Sequence, residues 1–574
     1  MLPEISEQRR TTALNLWLKV AALRAAARGW QSGVLLFVLS CVYVGVSMER
    51  NIDSYDEGIT LVGADRVGEG YVPHRDFYTQ YGPAQFYLVA ALFRLFGHLV
   101  LVERAWDVVA RALLVVAVFV LTERIASRRL AFCAAAVSLA WQGAFWINGS
   151  AVFPALAAVV ASLLFFLPTQ QQAASKYAVF IAGVYMGVAA LFRYDVGLSG
   201  CALGCASIAA ARWVASAGPR RIFEAGMAPL PFLAGFVTVT LPVALWLAWA
   251  GALPDLMFDV FTVSKTYVEM RSLPLPGLEA LRTDPASFGV YLPPVICVAS
   301  LVSVTALLRR RAGAAAGALL RSEVVLRATI VLILTAFTVV FCAKGFVRTS
   351  NIHMSMALIV STILLAQLVA GWRAQGAGPR AITGLSLGLA LLFAGLAADT
   401  GGQRAASNWQ WATSGTVWHM PQSWPALEAG PCRMPAELKR MACFPLGRAT
   451  AETIRYISQH TEPSDRIFVG LPRHDRIVAN DVALYFEVGR QPATKWYHFD
   501  PGLQTSAPIQ REMVEELVHR KPKLIVIEDI FQHASEPNGS AKSSFVTLLD
   551  DYIHGAFKPV AQFGTYVVMA PTGG

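Results

Sequence analysis

Residues 53–87, DSYDEGITLVGADRVGEGYVPHRDFYTQYGPAQFY, decide how the rest of this chain is interpreted. They follow an apolar run over residues 30–48 that is about long enough to cross a bilayer. The stretch is rich in charged and aromatic residues, and a Gly-Pro pair ends it before the next apolar segment. One interpretation is a solvated loop whose acids and arginines pair with one another. The adjacent carboxylates of Asp56 and Glu57, just outside a membrane span, favour a functional site.

The composition indicates a membrane protein. Of the 574 residues, 55% are hydrophobic and 15% are charged, and the mean hydropathy is +0.48. Soluble domains are about one quarter charged. A net charge of +10 would suit a nucleic-acid partner, but the basic residues lie in short clusters between apolar segments. The positive-inside rule explains such clusters, so we expect no nucleic acid.

Hydropathy predicts an α-helical polytopic protein with about 11 transmembrane helices and a cytosolic amino terminus. With this orientation, each predicted cytosolic connection carries Arg or Lys. Residues 84–100 also have the hydropathy of a span, but they are short and include Arg94, so we predict an amphipathic helix in the outer interface. A twelve-span arrangement is the alternative. The predicted spans are 30–48, 104–123, 131–147, 151–168, 177–194, 196–215, 227–250, 287–308, 324–343, 351–371 and 381–398.

Three parts are expected along the chain. Residues 1–29 form a cytosolic amphipathic leader, and residues 30–398 form the transmembrane domain, with an outer loop at 49–103. Residues 399–574 form a soluble α/β domain outside the cytosol. The Ala- and Arg-rich composition favours a bacterial inner membrane, which would place this domain in the periplasm. The strands predicted in it are 466–470, 523–527 and 566–570.

Two features of the carboxy-terminal domain concern disulfides and metals. Cys432 and Cys443 lie at its start, in a compartment predicted to be oxidising, and we predict that they form a disulfide. His474-Asp475 and His498 with Asp500 match no common metal-ligand spacing. We interpret these four residues as solvated surface.

The outer loop resembles the first outer loop of the polytopic GT-C glycosyltransferases, which use lipid-phosphate sugars. In that superfamily an Asp-Glu-type motif precedes a Gly, an aromatic residue, a second polar cluster and a Pro. The matching residues are Asp56-Glu57-Gly58, Gly70-Tyr71, Arg75-Asp76-Phe77-Tyr78 and Gln80-Tyr81-Gly82-Pro83. The resemblance is strongest over about the first 200 residues. Within the superfamily, this part of the chain is similar to the protein mannosyltransferase and aminoarabinose transferase branches. Residues 80–83 depart from both, because those branches carry His-Pro-Pro or Lys-Pro there.

The resemblance implies roles for the loop residues. Asp56 is the expected base for an acceptor hydroxyl, and Glu57 is the second candidate. Asp76 would orient the acceptor or act as a second acid. Two carboxylates near one site raise the pKa of one of them, towards that of a useful base. The loop residues expected to bind substrate are Arg75, Tyr78, Gln80 and Tyr81.

Several basic residues at the outward ends of the spans break the positive-inside pattern. They would gather on the membrane face that carries Asp56, where Arg and Lys suit a lipid-linked phosphate. The simpler interpretation is that each snorkels to lipid headgroups. Arg193 has a further alternative, an internal ion pair with Asp195. The residues concerned are Arg193, Lys265, Arg271, Lys344, Arg348 and, as a hydrogen-bonding neighbour, His353.

Together these features predict a membrane glycosyltransferase. It would move a sugar from a polyprenyl-phosphate donor to an extracytoplasmic glycan, lipid or envelope polymer, with inversion at the anomeric carbon. Its partners would be membrane lipid, the lipid-linked donor and the acceptor. No metal site is indicated, because the loop lacks an Asp-x-Asp sequence, although a divalent ion is left open. The alternatives are a non-enzymatic transporter or flippase of lipid-linked glycans, which needs no base, and a pseudoenzyme scaffold.

Overall fold

A computed structural model describes residues 30–573 except 168–174, 217, 314–317, 375–379, 414–435, 442–443, 445 and 531–533. The predicted leader and both Cys432 and Cys443 lie outside the described residues. Up to residue 413 the described chain is helical, apart from its connections. Its helices are α1 (Trp30–Val46), α2 (Asp56–Gly68), α3 (Pro83–Phe96), α4 (Val100–Ile125), α5 (Arg128–Ala144), α6 (Val152–Phe166), α7 (Lys176–Phe192), α8 (Tyr194–Ala215), α9 (Arg221–Met227), α10 (Leu230–Trp249), α11 (Leu253–Met257), α12 (Val263–Arg271), α13 (Ala280–Thr283), α14 (Leu292–Gly313), α15 (Ala318–Gly345), α16 (Ser355–Ala374) and α17 (Arg380–Thr413).

Each of the predicted spans corresponds to one helix of this series: α1, α4 to α8, α10 and α14 to α17. Among the described residues, 6 helical segments are long and apolar enough to cross a membrane. Four of the other predicted spans, α1, α6, α7 and α16, are shorter apolar helices. The segment predicted to lie in the interface forms α3, whose Phe86, Val89 and Phe93 are buried. The fold is therefore that of an α-helical polytopic membrane protein.

Small residues determine how closely the membrane helices approach one another. Helices α7 and α10 cross where Gly183 faces the Phe232 carbonyl and Gly235 faces the Phe180 carbonyl, so a Cβ at either glycine would collide with backbone. In a bilayer this close packing drives helix association, because lipid tails are as apolar as leucine. One continuous apolar cluster then joins α4, α6, α7, α14, α15 and α16.

The carboxy-terminal domain is a small α/β unit built on a five-stranded sheet. Its elements are α18 (Arg448–His460), β1 (Arg466–Gly470), α19 (Ala483–Val488), β2 (Gln491–Pro492), α20 (Ala507–Arg520), β3 (Leu524–Glu528), α21 (Leu548–Ala556), β4 (Phe557–Phe563) and β5 (Tyr566–Pro571). The strand order is β2-β1-β3-β5-β4; β1 runs parallel to β2 and β3, and β5 runs antiparallel to β3 and β4. Three strands lie where the sequence predicted them. The other two were missed, because β2 has only 2 residues and most of β4 is solvent-accessible.

Helix α2 is packed between the membrane helices and the carboxy-terminal domain. A Cβ at Gly58 would meet the backbone of Ala483, so α19 lies directly on α2. The Ala483 amide donates to the Ser54 carbonyl at 2.8 Å, and the Tyr497 hydroxyl donates to the Ile59 carbonyl at 3.1 Å. Apolar residues of α2, α3 and the carboxy-terminal domain form one buried cluster. The first half of the outer loop is therefore a fixed helix.

An ion pair fastens the start of α2 to the start of α4. The Arg104 guanidinium donates to both carboxylate oxygens of Glu57, at 2.6 and 2.9 Å, and also to the Asn51 carbonyl at 2.8 Å. Both side chains of the pair are fully buried. Because a buried carboxylate without its cation is costly, the pair holds α2 in one position.

We expect Arg104→Met to lower the free energy of unfolding by about 3–5 kcal/mol, since it leaves Glu57 buried and unpaired. The measurement is thermal unfolding of the detergent-solubilised protein. The matched control is Arg448→Met, because Arg448 pairs with Glu452 on the exposed face of α18 and should leave stability unchanged. Equal melting temperatures for both variants would contradict a structural role for the Arg104–Glu57 pair.

Candidate functional site

A cavity of about 580 Å³ lies at the junction of the membrane helices and the carboxy-terminal domain. Its wall includes the start of α2, the starts of α6 and α8, helix α12, the connection from α15 to α16, and segments of the carboxy-terminal domain. Eight of the sequence-predicted site residues line it: Asp56, Gln80, Tyr81, Arg193, Arg271, Lys344, Arg348 and His353. The site therefore combines segments far apart in the chain.

Asp56 is the first residue of α2, and its side chain reaches the cavity. Asp53 caps the helix, because its Oδ1 accepts hydrogen bonds from the backbone amides of Tyr55 and Asp56, each at 3.0 Å. Asp56 is exposed to the cavity, whose protein walls limit the access of bulk water; this reduced hydration and the nearby Asp53 carboxylate raise the pKa of Asp56 to about 7. Asp56 can therefore exchange a proton near neutral pH.

Glu57 points away from the cavity, into its ion pair with Arg104. Its Oε2 also accepts the Asp53 amide at 3.0 Å. Burial raises the pKa of Glu57, and the hydrogen bonds from Arg104 partly offset that effect. Because both carboxylate oxygens are occupied and the side chain is fully buried, the structure gives Glu57 a part in positioning α2.

Arg75 and Asp76 pair with each other outside the cavity lining. The guanidinium of Arg75 contacts both oxygens of Asp76, at 2.9 and 2.8 Å, and the Val72 amide donates to Asp76 at 2.7 Å. Partial burial raises the pKa of Asp76, but these hydrogen bonds outweigh it and the pKa lies below its ordinary value. Lys265 is exposed on α12 and also lies outside the lining. The structure does not bring these three residues to Asp56.

Asp500, from the carboxy-terminal domain, forms polar contacts with four side chains at the cavity. Its Oδ1 lies 3.1 Å from the Tyr55 hydroxyl and 3.0 Å from the Arg271 guanidinium. Its Oδ2 accepts from the Tyr78 hydroxyl at 3.0 Å and from Gln80 Nε2 at 2.9 Å. Burial raises the pKa of Asp500, but Arg271 and these donors outweigh it, so the pKa falls below its ordinary value. Asp500 is therefore an ionised anchor.

The cations of the cavity are balanced by carboxylates. Arg193 binds Asp195 at 3.1 Å, and Lys344 contacts the same carboxylate. Arg348 makes a bidentate pair with Glu536 of the carboxy-terminal domain, at 2.7 and 2.5 Å. The alternative of an internal Arg193–Asp195 pair is thus the arrangement observed, and it also lines the cavity.

His353 lines the cavity beside these cations, and its Nδ1 lies 2.7 Å from the Ser350 hydroxyl. His353 is exposed to the cavity, and the reduced hydration there, together with the neighbouring charges of Arg348, Arg193 and Lys344, lowers the pKa of His353 to about 3. The imidazole is therefore neutral at physiological pH and contributes hydrogen bonding, with no positive charge.

The interpretation of 474–475, His498 and Asp500 as solvated surface is wrong. All four side chains are buried, and His498 and Asp500 line the cavity. The sequence did hold a signal, because both residues lie in the aromatic run Trp496–Phe499 and its flank, and aromatic neighbours favour burial. Their long-range contact with the outer loop had no sequence signature. Asp259 and Tyr267 of the loop between α10 and α14 were missed for the same reason.

Among the residues that the structure describes, no group of three or more His, Cys, Asp and Glu side chains is placed to hold a metal ion.

Comparison with known proteins relates the chain to solved structures. No protein-family model and no curated protein matches the sequence. The structure of ArnT from Cupriavidus metallidurans bound to undecaprenyl phosphate is similar over 94% of this chain and 98% of that chain, with a TM-score of 0.53 and 13% identity. The apo form of the same protein matches over 95% of this chain and 98% of its own, with a TM-score of 0.50 and 15% identity.

ArnT is an aminoarabinose transferase and a membrane glycosyltransferase of the GT-C superfamily. At such low identity the similarity establishes the shared fold, and it extends over both the membrane helices and the carboxy-terminal domain. The chain therefore has the fold of ArnT, as the resemblance of its first outer loop predicted.

Proposed function

We propose that the protein is a glycosyltransferase of the bacterial inner membrane that moves a sugar from a polyprenyl-phosphate donor to an acceptor outside the cytosol. The acceptor would be a glycan, a lipid or an envelope polymer. The observation that carries the proposal is one cavity that holds a carboxylate of raised pKa, Asp56, together with Arg193, Lys344 and Arg348. The GT-C fold supports it, and so does the undecaprenyl phosphate bound by ArnT.

In the proposed reaction, the acceptor hydroxyl attacks the anomeric carbon while Asp56 removes its proton. The bond between that carbon and the phosphate oxygen breaks, and the polyprenyl phosphate leaves with the electron pair. One displacement inverts the anomeric carbon. Asp56 lies at the amino terminus of α2, where the helix dipole stabilises its ionised form.

Cations of the cavity would stabilise the charge of the leaving phosphate. Arginine binds phosphate oxygens in bidentate fashion and lysine binds them as a point charge. Arg348 is held by Glu536 in the described structure, so a phosphate would exchange places with that carboxylate. The neutral imidazole of His353 would add one hydrogen bond.

Replacing Asp56 by Asn keeps the shape of the side chain and removes the base. We expect Asp56→Asn to reduce transfer by about 10²–10⁴-fold, the usual contribution of a general base. The measurement is mass spectrometry of glycans and lipid carriers from deletion, wild-type and variant cells, with membrane insertion verified. The matched control, Asp551→Asn on α21, lies outside the cavity and should behave as wild type. Full activity of Asp56→Asn would reject the mechanism and favour a transporter or scaffold.

The pKa of Asp56 predicts a pH profile. A base works only when deprotonated, so kcat/KM should rise with pH and reach half its maximum near the pKa of about 7. Asp53→Asn should move this midpoint to lower pH, because the Asp53 charge raises the pKa of Asp56 while its Oδ1 cap survives in asparagine. The measurement is kcat/KM in detergent between about pH 5 and 9. A profile that is flat across pH 7, or unchanged in Asp53→Asn, would contradict the assignment of Asp56.

The Arg348–Glu536 pair predicts opposite effects of two substitutions on carrier binding. Arg348→Gln should weaken binding of undecaprenyl phosphate by about tenfold or more, since a charged hydrogen bond contributes about 1.5–3 kcal/mol. Glu536→Gln should strengthen binding, because it removes the carboxylate that competes for Arg348. The measurement is the Kd for undecaprenyl phosphate of the purified protein. Weaker binding in both variants would show that the pair is only structural.

A further inference from the structure

The cavity wall contains a second hydrogen-bonded chain, formed by Asp259, His74 and Tyr194. His74 Nδ1 lies 2.8 Å from Asp259 Oδ2, and His74 Nε2 lies 3.1 Å from the Tyr194 hydroxyl. The side chains of His74 and Asp259 are 0% and 1% exposed. Asp259 and Tyr194 line the same cavity as Asp56, whereas His74 lies behind them.

Two of the three residues in this hydrogen-bonded series lie in unusual backbone. His74 has φ of +71°, a left-handed conformation that residues other than glycine seldom adopt. Asp259 lies in a π-helical turn, Phe258–Thr262, a rare geometry that is frequent at functional sites. Both conformations are less stable than ordinary ones and persist only where surrounding contacts enforce them.

The hydrogen bonds hold both groups that line the cavity. The imidazole of His74 joins Asp259 Oδ2 to the Tyr194 hydroxyl and so fixes the position of that hydroxyl. Whether the hydroxyl donates to Nε2 or accepts from it, its oxygen keeps a lone pair that can accept a hydrogen bond from a ligand hydroxyl.

Asp259 supplies a second hydrogen-bond acceptor in the same cavity wall. Asp259 Oδ1 is buried and has no hydrogen-bond partner among the described residues, although Asp259 lines the cavity. An unsatisfied buried carboxylate oxygen is costly, and a donor group of a ligand would relieve that cost. A carboxylate oxygen cannot donate a hydrogen bond to phosphate, so Asp259 suits a ligand hydroxyl better than a phosphate group.

We propose that Asp259 Oδ1 and Tyr194 Oη form a subsite for hydroxyl groups of the transferred sugar, with His74 as the positioning residue that holds the Tyr194 hydroxyl in place. The inference rests on the proposed function and deepens it, because it assigns the phosphate and the sugar of the donor to different residues of one cavity. The cations Lys344 and Arg348 take the phosphate, and the acceptor pair takes sugar hydroxyls.

The test compares a carrier with and without its sugar. Kd values are measured for undecaprenyl phosphate and for a panel of undecaprenyl-phosphate-linked hexoses and pentoses, on the full-length protein in nanodiscs. Wild type should bind at least one loaded carrier more tightly than the bare one. Tyr194→Phe should weaken binding of that loaded carrier by about 3- to 10-fold, and Asp259→Asn by about tenfold or more, with the bare carrier unchanged.

His74→Gln tests the positioning role. It should weaken binding of the loaded carrier by about 3- to 10-fold, as Tyr194→Phe does, and the double variant should be no worse than either single one, because both act on one hydroxyl. Tyr194→Phe removes only the hydroxyl and keeps the ring, so the subsite can still be tested if His74→Gln does not fold. The matched control is Tyr87→Phe, which removes a hydroxyl from the exposed face of α3 and should change neither Kd.

The possible outcomes distinguish failure of the sugar subsite from failure of the proposed function. Equal weakening of both ligands would show a structural role and reject the subsite, and so would wild-type affinity in all variants. Equal wild-type affinity for bare and loaded carriers would also reject it, while leaving the proposed function standing. If wild type binds no member of the panel and no bare carrier, the proposed function itself fails.

Discussion

The buried carboxylate of Asp500 is the contact on which the cavity depends. It lies in the carboxy-terminal domain, yet its hydrogen-bond donors come from the start of α2, the connection before α3 and the end of α12. An ionised carboxylate is stable in such a place only when its oxygens are satisfied. The hydrogen bonds to Asp500 therefore hold the outer loop and Arg271 in position. The carboxy-terminal domain supplies this carboxylate and is thus a part of the site.

A second feature of this arrangement is that the basic residues of the cavity wall named above are paired with carboxylates. Arg193 and Lys344 share Asp195, Arg348 holds Glu536, and Arg271 holds Asp500. Unpaired cations at membrane depth would be costly to bury. A phosphate that bound to these residues would have to displace a carboxylate, which would reduce the free energy gained by binding. Among the described residues of the cavity, Asp56 carries a carboxyl group whose pKa is raised to about 7.

Local sequence pattern was sufficient for much of the fold. Helix positions followed from apolar length, and three strands followed from short apolar runs between turn residues. The pattern of the outer loop placed Asp56 ahead of Glu57 as the expected base only through its resemblance to a known motif. The physical difference between the two residues is tertiary, because adjacent residues at a helix start point in different directions: Asp56 lines the cavity and Glu57 meets Arg104.

What the sequence determined by itself is the membrane class, the order of the helices, the carboxy-terminal α/β unit and the loop that begins the site. These features depend on hydropathy and on contacts between residues that are near one another in the sequence. Only the tertiary structure decided that Asp500 and Glu536 face the cavity, and that Asp259, His74 and Tyr194 form one hydrogen-bonded chain. Those contacts join residues separated by more than a hundred positions, and their energy arises from burial that exists only once the domains have packed together.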